Sequence, residues 1–294
     1  MEASLKKTFL FLILIFLTFQ VQAGWKSKVA IAGFSEQYIA RTMITAVYDG
    51  KNIERAISIA KQVSKSSFGR QYLYNLLSDN LITEPYGFAA TNAKTIIAGA
   101  NLDTRDFNKK LSYEKSYYDS HVTRLTNLAR GLKTNKRYQC MNRLQIYDKD
   151  AYIPIHNYSY PVKEWHFGSF KELASVDKIS DDLEHDHIPS IAAILSYLQK
   201  RDGGKLLTRS DKSYGQIVHD NATSLEVTKK NHRAGRTSGR KNSPAQIQLD
   251  SLDLSLATIK DLAIHFKTKK TLTPQMIQSF IDVYARNQYL CLYI

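Results

Sequence analysis

Cysteine is scarce in this chain: Cys140 and Cys291 are its only two in 294 residues. That excludes a zinc site built from four cysteines. No H-x-E segment with a later P-C-x-x-C is present, which weakens a zinc-dependent base deaminase. No G-x-S-x-G element supports a serine hydrolase, and no glycine-rich loop of the nucleotide-binding kind occurs. Acidic residues are outnumbered, 27 against 41 Lys plus Arg, giving a net charge of +14. Beyond residue 23 no apolar run reaches the roughly 20 residues that span a bilayer. Repeats and low-complexity linkers are absent too. With 43% hydrophobic and 23% charged residues, the composition is globular and excludes a wholly disordered, collagen-like or coiled-coil chain.

What is present begins at the N-terminus. Lys6 and Lys7 precede residues 9–19, apolar except at Thr18, and Val21-Gln22-Ala23 follows as a small-x-small end. This is the pattern of a signal peptide, residues 1–23, cleaved after Ala23. The mature protein is then expected to be secreted or periplasmic, with no stable membrane insertion. An oxidising compartment permits a Cys140–Cys291 disulfide; two buried thiols are the alternative, because sequence separation gives no distance. The excess of positive charge, interleaved with 18 Tyr and 12 Phe, points to an anionic partner. Nucleic acid ranks ahead of an anionic membrane surface.

Periodicity predicts an α+β fold, mostly helical, with a small β element beside the site. Residues 36–64 read as two helices divided at Asp49-Gly50, and 72–81 as a third. Residues 88–136 give a weaker pattern, with a short basic helix over 121–132. From about 137 the character turns extended and aromatic. Helices return at 189–200, 244–267 and 274–290, each with a Pro at its start, and a strand is centred on Leu225-Glu226-Val227. The expected division is a helical region, 24–145, followed by a C-terminal domain, 146–294.

Two clusters carry chemistry. Glu184-His185-Asp186-His187-Ile188-Pro189-Ser190 places four consecutive titratable groups directly before a helix. Imidazole beside carboxylate is the material of metal ligation and acid–base work. The bland alternative is a solvated acidic loop capping that helix. The second cluster runs from Asn221 to Asn242 and includes His232, Arg233, Arg236, Arg240 and Lys241. Gly235, Ser238 and Gly239 keep its backbone open, so its cations suit phosphate; alone, it reads as a flexible basic loop. His265, among Leu262, Ala263, Ile264 and Phe266, reads as a structural helix residue.

Taken together, Asp186-His187-Ile188-Pro189, Asn221 and His232 resemble the HNH (His-Me finger) nucleases. D-H-I-P-S followed by N-H-R-A-G-R-T-S-G-R-K-N also resembles the C-terminal toxin domains of bacterial polymorphic toxins. The resemblance covers about residues 180–260 and does not extend to 24–150. It implies His187 as general base and Asn221 as its orienting residue. It implies Asp186 and His232 as ligands of a divalent metal, Mg²⁺, Mn²⁺ or Zn²⁺, and Arg233, Arg236, Arg240 and Lys241 as phosphate contacts. The 34 positions from His187 to Asn221 exceed the family's compact hairpin, so Asn231 and His219 stay open as replacements for Asn221. The function so implied is metal-dependent endonucleolytic cleavage of DNA or RNA by a secreted toxin, with an inhibitor or immunity protein as a second partner. The rival is a non-enzymatic effector that binds an anionic surface or a host partner through its basic loop and tolerates loss of His187.

Overall fold

The computed structural model describes residues 30–83, 87–134, 140, 145–149, 153–176, 182–201, 214–238, 241–267 and 271–293. The expected signal peptide and Arg240 lie outside these residues. The described residues open with a hairpin of two short strands, β1 (Ala30–Ile31) and β2 (Phe34–Ser35), followed by five helices before residue 135. They are α1 (Glu36–Asp49), α2 (Ile53–Val63), α3 (Ser67–Leu81), α4 (Phe88–Gly99) and α5 (Thr104–Lys133). Ser35 caps α1 by accepting from the Tyr38 amide, and Gly50 ends it in the left-handed region at φ 64°. The helix expected at 121–132 is the C-terminal part of the 30-residue α5, whose start is fixed by the Asp103 cap.

The second half carries β3 (Phe167–Ser169), α6 (Phe170–Val176), β4 (Leu183–His187), α7 (Ile191–Arg201), α8 (Gly215–Asn221), β5 (Thr223–Thr228) and α9 (Lys229–Ala234). Then come α10 (Pro244–Leu252), α11 (Leu254–Phe266) and α12 (Pro274–Tyr289). The stretch read as one helix over 244–267 is thus divided at Asp253, whose side chain caps α11 by accepting from the Leu256 amide. Helices α10 and α12 both begin with Pro behind a Ser or Thr cap. The three strands form an antiparallel sheet in the order β3-β5-β4. Its centre, β5, is buried along Thr223–Val227, which is why the apolar Leu225 and Val227 signal a strand. The result is a mostly helical α+β fold, as expected.

The larger buried cluster joins Leu77, Ile97 and Phe107 of the N-terminal helices to Leu225 of β5, Phe266 of α11 and Phe280 of α12. It crosses the expected boundary at 145/146. A smaller cluster packs α7 and α8 against Ile146, Leu254 and Leu292. Cys140 and Cys291 form a disulfide across 151 positions of sequence. Among the described residues, no helix is long and apolar enough to cross a membrane.

Candidate active site

Strand β4 consists almost wholly of titratable residues, and the pleat sends alternate side chains to opposite faces. Backbone pairing with β5 sets the register: His185 lies opposite Glu226 and His187 opposite Ser224. The end of β4 is tied to α12, where the Asn287 amide donates to the Ile188 carbonyl at 2.8 Å. The following α9 starts immediately after β5 because Thr228 caps it by accepting from the Asn231 amide. This strand–helix junction brings His232 over the face of β4 that carries Glu184 and Asp186.

On that face the hydrogen bonds are directional. His232 donates Nδ1–H to Glu184 Oε2 at 2.6 Å, which leaves its Nε2 3.5 Å from Asp186 Oδ1. The second Asp186 oxygen accepts from His265 Nε2 at 2.9 Å. Burial would raise the Asp186 carboxyl. The His265 hydrogen bond and the charges of His265, His232 and His187 outweigh that effect and hold it below the usual carboxylate range.

The opposite face gathers aromatic rings. His185 Nδ1 is hydrogen-bonded to the fully buried Glu226 carboxylate. The His187 ring stacks on Phe170 with centroids 4.8 Å apart and planes at 12°. The His219 ring sits 4.7 Å from that of His187. His187 Nε2 lies 3.2 Å from the His219 carbonyl. A carbonyl only accepts, so Nε2 carries the proton and Nδ1 is the basic nitrogen of the neutral ring.

Both faces open into one cavity of about 290 Å³ at the end of β4, lined by Asp186, His187, His232, Phe170, His185 and His219 and closed by Ser190, Ile191, Thr237, Ser238 and Asn242. The structure therefore brings together three of the residues singled out in the sequence: Asp186, His187 and His232. Asn221 does not line the cavity. Its buried amide donates to the carbonyls of Ile146 at 3.1 Å and Asp148 at 2.9 Å, bracing the chain outside the site. Of the alternatives to it, His219 lines the cavity, whereas Asn231 donates to Glu164 at 3.2 Å.

The basic segment divides. Arg233 is exposed on α9. Arg236, expected on an open loop, is instead buried, with Nη1 2.9 Å from Asp250, Nε 2.7 Å from Asp261 and Nη2 donating to the Ala257 carbonyl. Lys241 is buried as well and donates to Asn80 Oδ1 and to the Arg233 carbonyl, both at 2.8 Å. Burial, aided by Lys267, pulls its ammonium down to about 7 against the pull of Asp79 and Asp186. Both residues fasten the segment to the core and are turned away from solvent.

The fit of a metal rests on the donor set. An imidazole nitrogen and a carboxylate oxygen 3.5 Å apart, each with its other polar atom already bonded, form a two-ligand half-site. Among the described residues, no group of three or more His, Cys, Asp or Glu is arranged to hold an ion. An ion held there would have to complete its coordination with waters and phosphate oxygens.

No family model matches this chain, and no solved structure matches it. Deoxyribonuclease CdiA of Dickeya dadantii (strain 3937) is similar to it, at 45% identity over 100 residues. Those residues are 34% of this chain and 3% of that protein, so the match takes in only a small part of the curated relative's length. The likeness supports the resemblance to a nuclease and does not bear on the HNH subtype.

Proposed function

We propose that this chain is a deoxyribonuclease toxin that hydrolyses phosphodiester bonds through an HNH-like site. The observation that carries the reading is the shared cavity, which His187, Asp186 and His232 line together. DNA is preferred to RNA because the relative is named a deoxyribonuclease. In this reading Phe170 and the His219 carbonyl fix the plane and tautomer of His187. His187 then takes the proton of an attacking water through Nδ1. Asp186 Oδ1 and His232 Nε2 would hold a divalent ion, which supplies positive charge to the phosphate and the leaving oxygen. Arg233, exposed on α9, meets a flanking phosphate, and Arg240 shares that assignment by its place in the sequence. Export after cleavage at Ala23 belongs to the same proposal and is checked by the N-terminus of the exported protein, expected to be Gly24.

The test is cleavage of plasmid and RNA after chelation and re-addition of Mg²⁺, Mn²⁺ or Zn²⁺. Wild type is expected to cut DNA, and His187→Ala to slow cutting by roughly 10²–10⁴ without loss of fold. Folded wild type that cuts neither polymer with any ion sinks the reading. An unimpaired His187→Ala variant removes that residue as the base.

A further inference from the structure

We propose that His265 is a positioning residue: it aims the Asp186 carboxylate at the point shared with His232, from a helix outside the strand–helix unit that carries Asp186 and His232. The inference rests on the assignment of Asp186 and His232 as metal ligands made above.

His265 belongs to α11, 79 positions from Asp186 in sequence. Its neighbours Leu262, Ala263, Ile264 and Phe266 are all buried, and Phe266 packs on Trp165 with centroids 5.2 Å apart. An apolar side chain would fill such a position without polar cost. The imidazole carries that cost: its Nδ1 is buried and has no hydrogen-bond partner among the described residues. The ring's other nitrogen, Nε2, bonds to Asp186 Oδ2 at 2.9 Å. Packing alone therefore does not account for a histidine here, whereas a directed hydrogen bond to the site does.

The geometry shows what that bond achieves. Rotation of a carboxylate about its last torsion is soft, and a turn of the Asp186 group would carry Oδ1 away from His232 Nε2. His265 holds Oδ2 from the helix side. Gly235 lies close to the pair: a Cβ there would stand 2.8 Å from the His232 carbonyl and 3.6 Å from Asp186 Oδ2, so a larger residue would crowd His232. Glu184 does for His232 Nδ1 what His265 does for Asp186 Oδ2. Two donor atoms are thus aimed at one point by partners that belong to different elements. Outer partners of this kind alter metal affinity by about 10- to 100-fold.

The experiment titrates the full chain with Mn²⁺ alone, without DNA, following free ion by electron paramagnetic resonance. His265→Leu is expected to weaken Mn²⁺ binding by about 10- to 100-fold. His265→Gln, whose amide presents an N–H along a similar reach, is expected to stay within a few-fold of wild type. Circular dichroism and melting check that both variants fold, and His265→Gln carries the test if His265→Leu does not. DNA cleavage by His265→Leu should return as Mn²⁺ is raised. Wild-type affinity in folded His265→Leu overturns the inference, and so does an equal loss in both folded variants, which would exclude the hydrogen bond as the cause. Wild type that binds no Mn²⁺ instead sinks the metal reading of Asp186 and His232 on which the inference stands.

Discussion

Arg233 and Arg236 are three residues apart, yet Arg233 is exposed and Arg236 is buried. Arg236 is buried against Asp250 and Asp261, at 2.9 Å and 2.7 Å. Its replacement by Ala leaves two buried carboxylates without their cation, a loss of about 3–5 kcal/mol. At roughly 2–4 °C per kcal/mol for a chain of this size, the melting temperature should fall by about 10 °C. Arg233→Ala removes an exposed side chain and should change stability by less than about 0.5 kcal/mol. DNA affinity reverses the order. Losing one phosphate contact reduces the slope of log K against log salt by about 0.9 on duplex DNA, and this is expected for Arg233→Ala alone. Calorimetry gives the melting temperatures, and fluorescence anisotropy across a salt series, at a temperature where both variants are folded, gives the slopes. A further variant, Arg236→Met with Asp250→Asn and Asp261→Asn, should regain stability, because the buried charges leave together. The reasoning is refuted if Arg236→Ala melts with wild type and flattens the salt slope.

Three further outcomes follow from the structure. Replacing Cys140 and Cys291 by Ser opens a loop of 151 positions and should cost up to about 5 kcal/mol on the chain-entropy model; the double variant and the reduced wild type should melt alike, well below the oxidised protein. Burial holds Lys241 at about 7, against 10.5 for an ordinary lysine. The unfolded chain therefore binds the extra proton between those values, and this residue's contribution to stability rises with pH across that window. Urea unfolding at pH 7 and pH 9 should show that part of the pH slope vanish in Lys241→Met, and an unchanged slope would count against the buried ammonium. Asn221→Ala should destabilise by about 1–3 kcal/mol, since the carbonyls of Ile146 and Asp148 lose their donor. Its kcat/KM, measured well below the melting temperature, should stay near wild type; a deep loss there would return Asn221 to the chemistry.

Local signals told where several helices begin and end. Asp49-Gly50, Ser243-Pro244 and Thr273-Pro274 mark real boundaries, because caps and proline act over a few residues. The first turn of α3 went unread, since its Ser66 cap precedes a stretch with little helical period. Strand β4 was hidden for a different reason. Glu184-His185-Asp186-His187 has no apolar alternation, and its extended form comes from pairing with β5 some 40 positions away. The grouping of Asp186, His187 and His232 was legible as a motif. The places of Phe170, which lines the cavity, and of His265, which reaches Asp186, were not, because each comes from a separate element with no short-range mark; His219, held open as a replacement for Asn221, does line the cavity. Arg236 and Lys241 looked like surface cations for the same reason: Asp261 and Asn80, which claim them, are far along the chain.

Strand β4 ends the three-stranded sheet among the described residues. A sheet margin offers unpaired amides and carbonyls to any extended segment that drifts past, and a greasy margin invites self-association. Here the margin is made of two acids and two imidazoles, polar side chains that are costly to cover with a second apolar strand. Three of these side chains, His185, Asp186 and His187, also line the cavity, so site and sheet margin share residues. An exchange of Glu184 or His185 for valine would improve the strand by propensity alone, and would leave the molecule with an adhesive edge beside a damaged site.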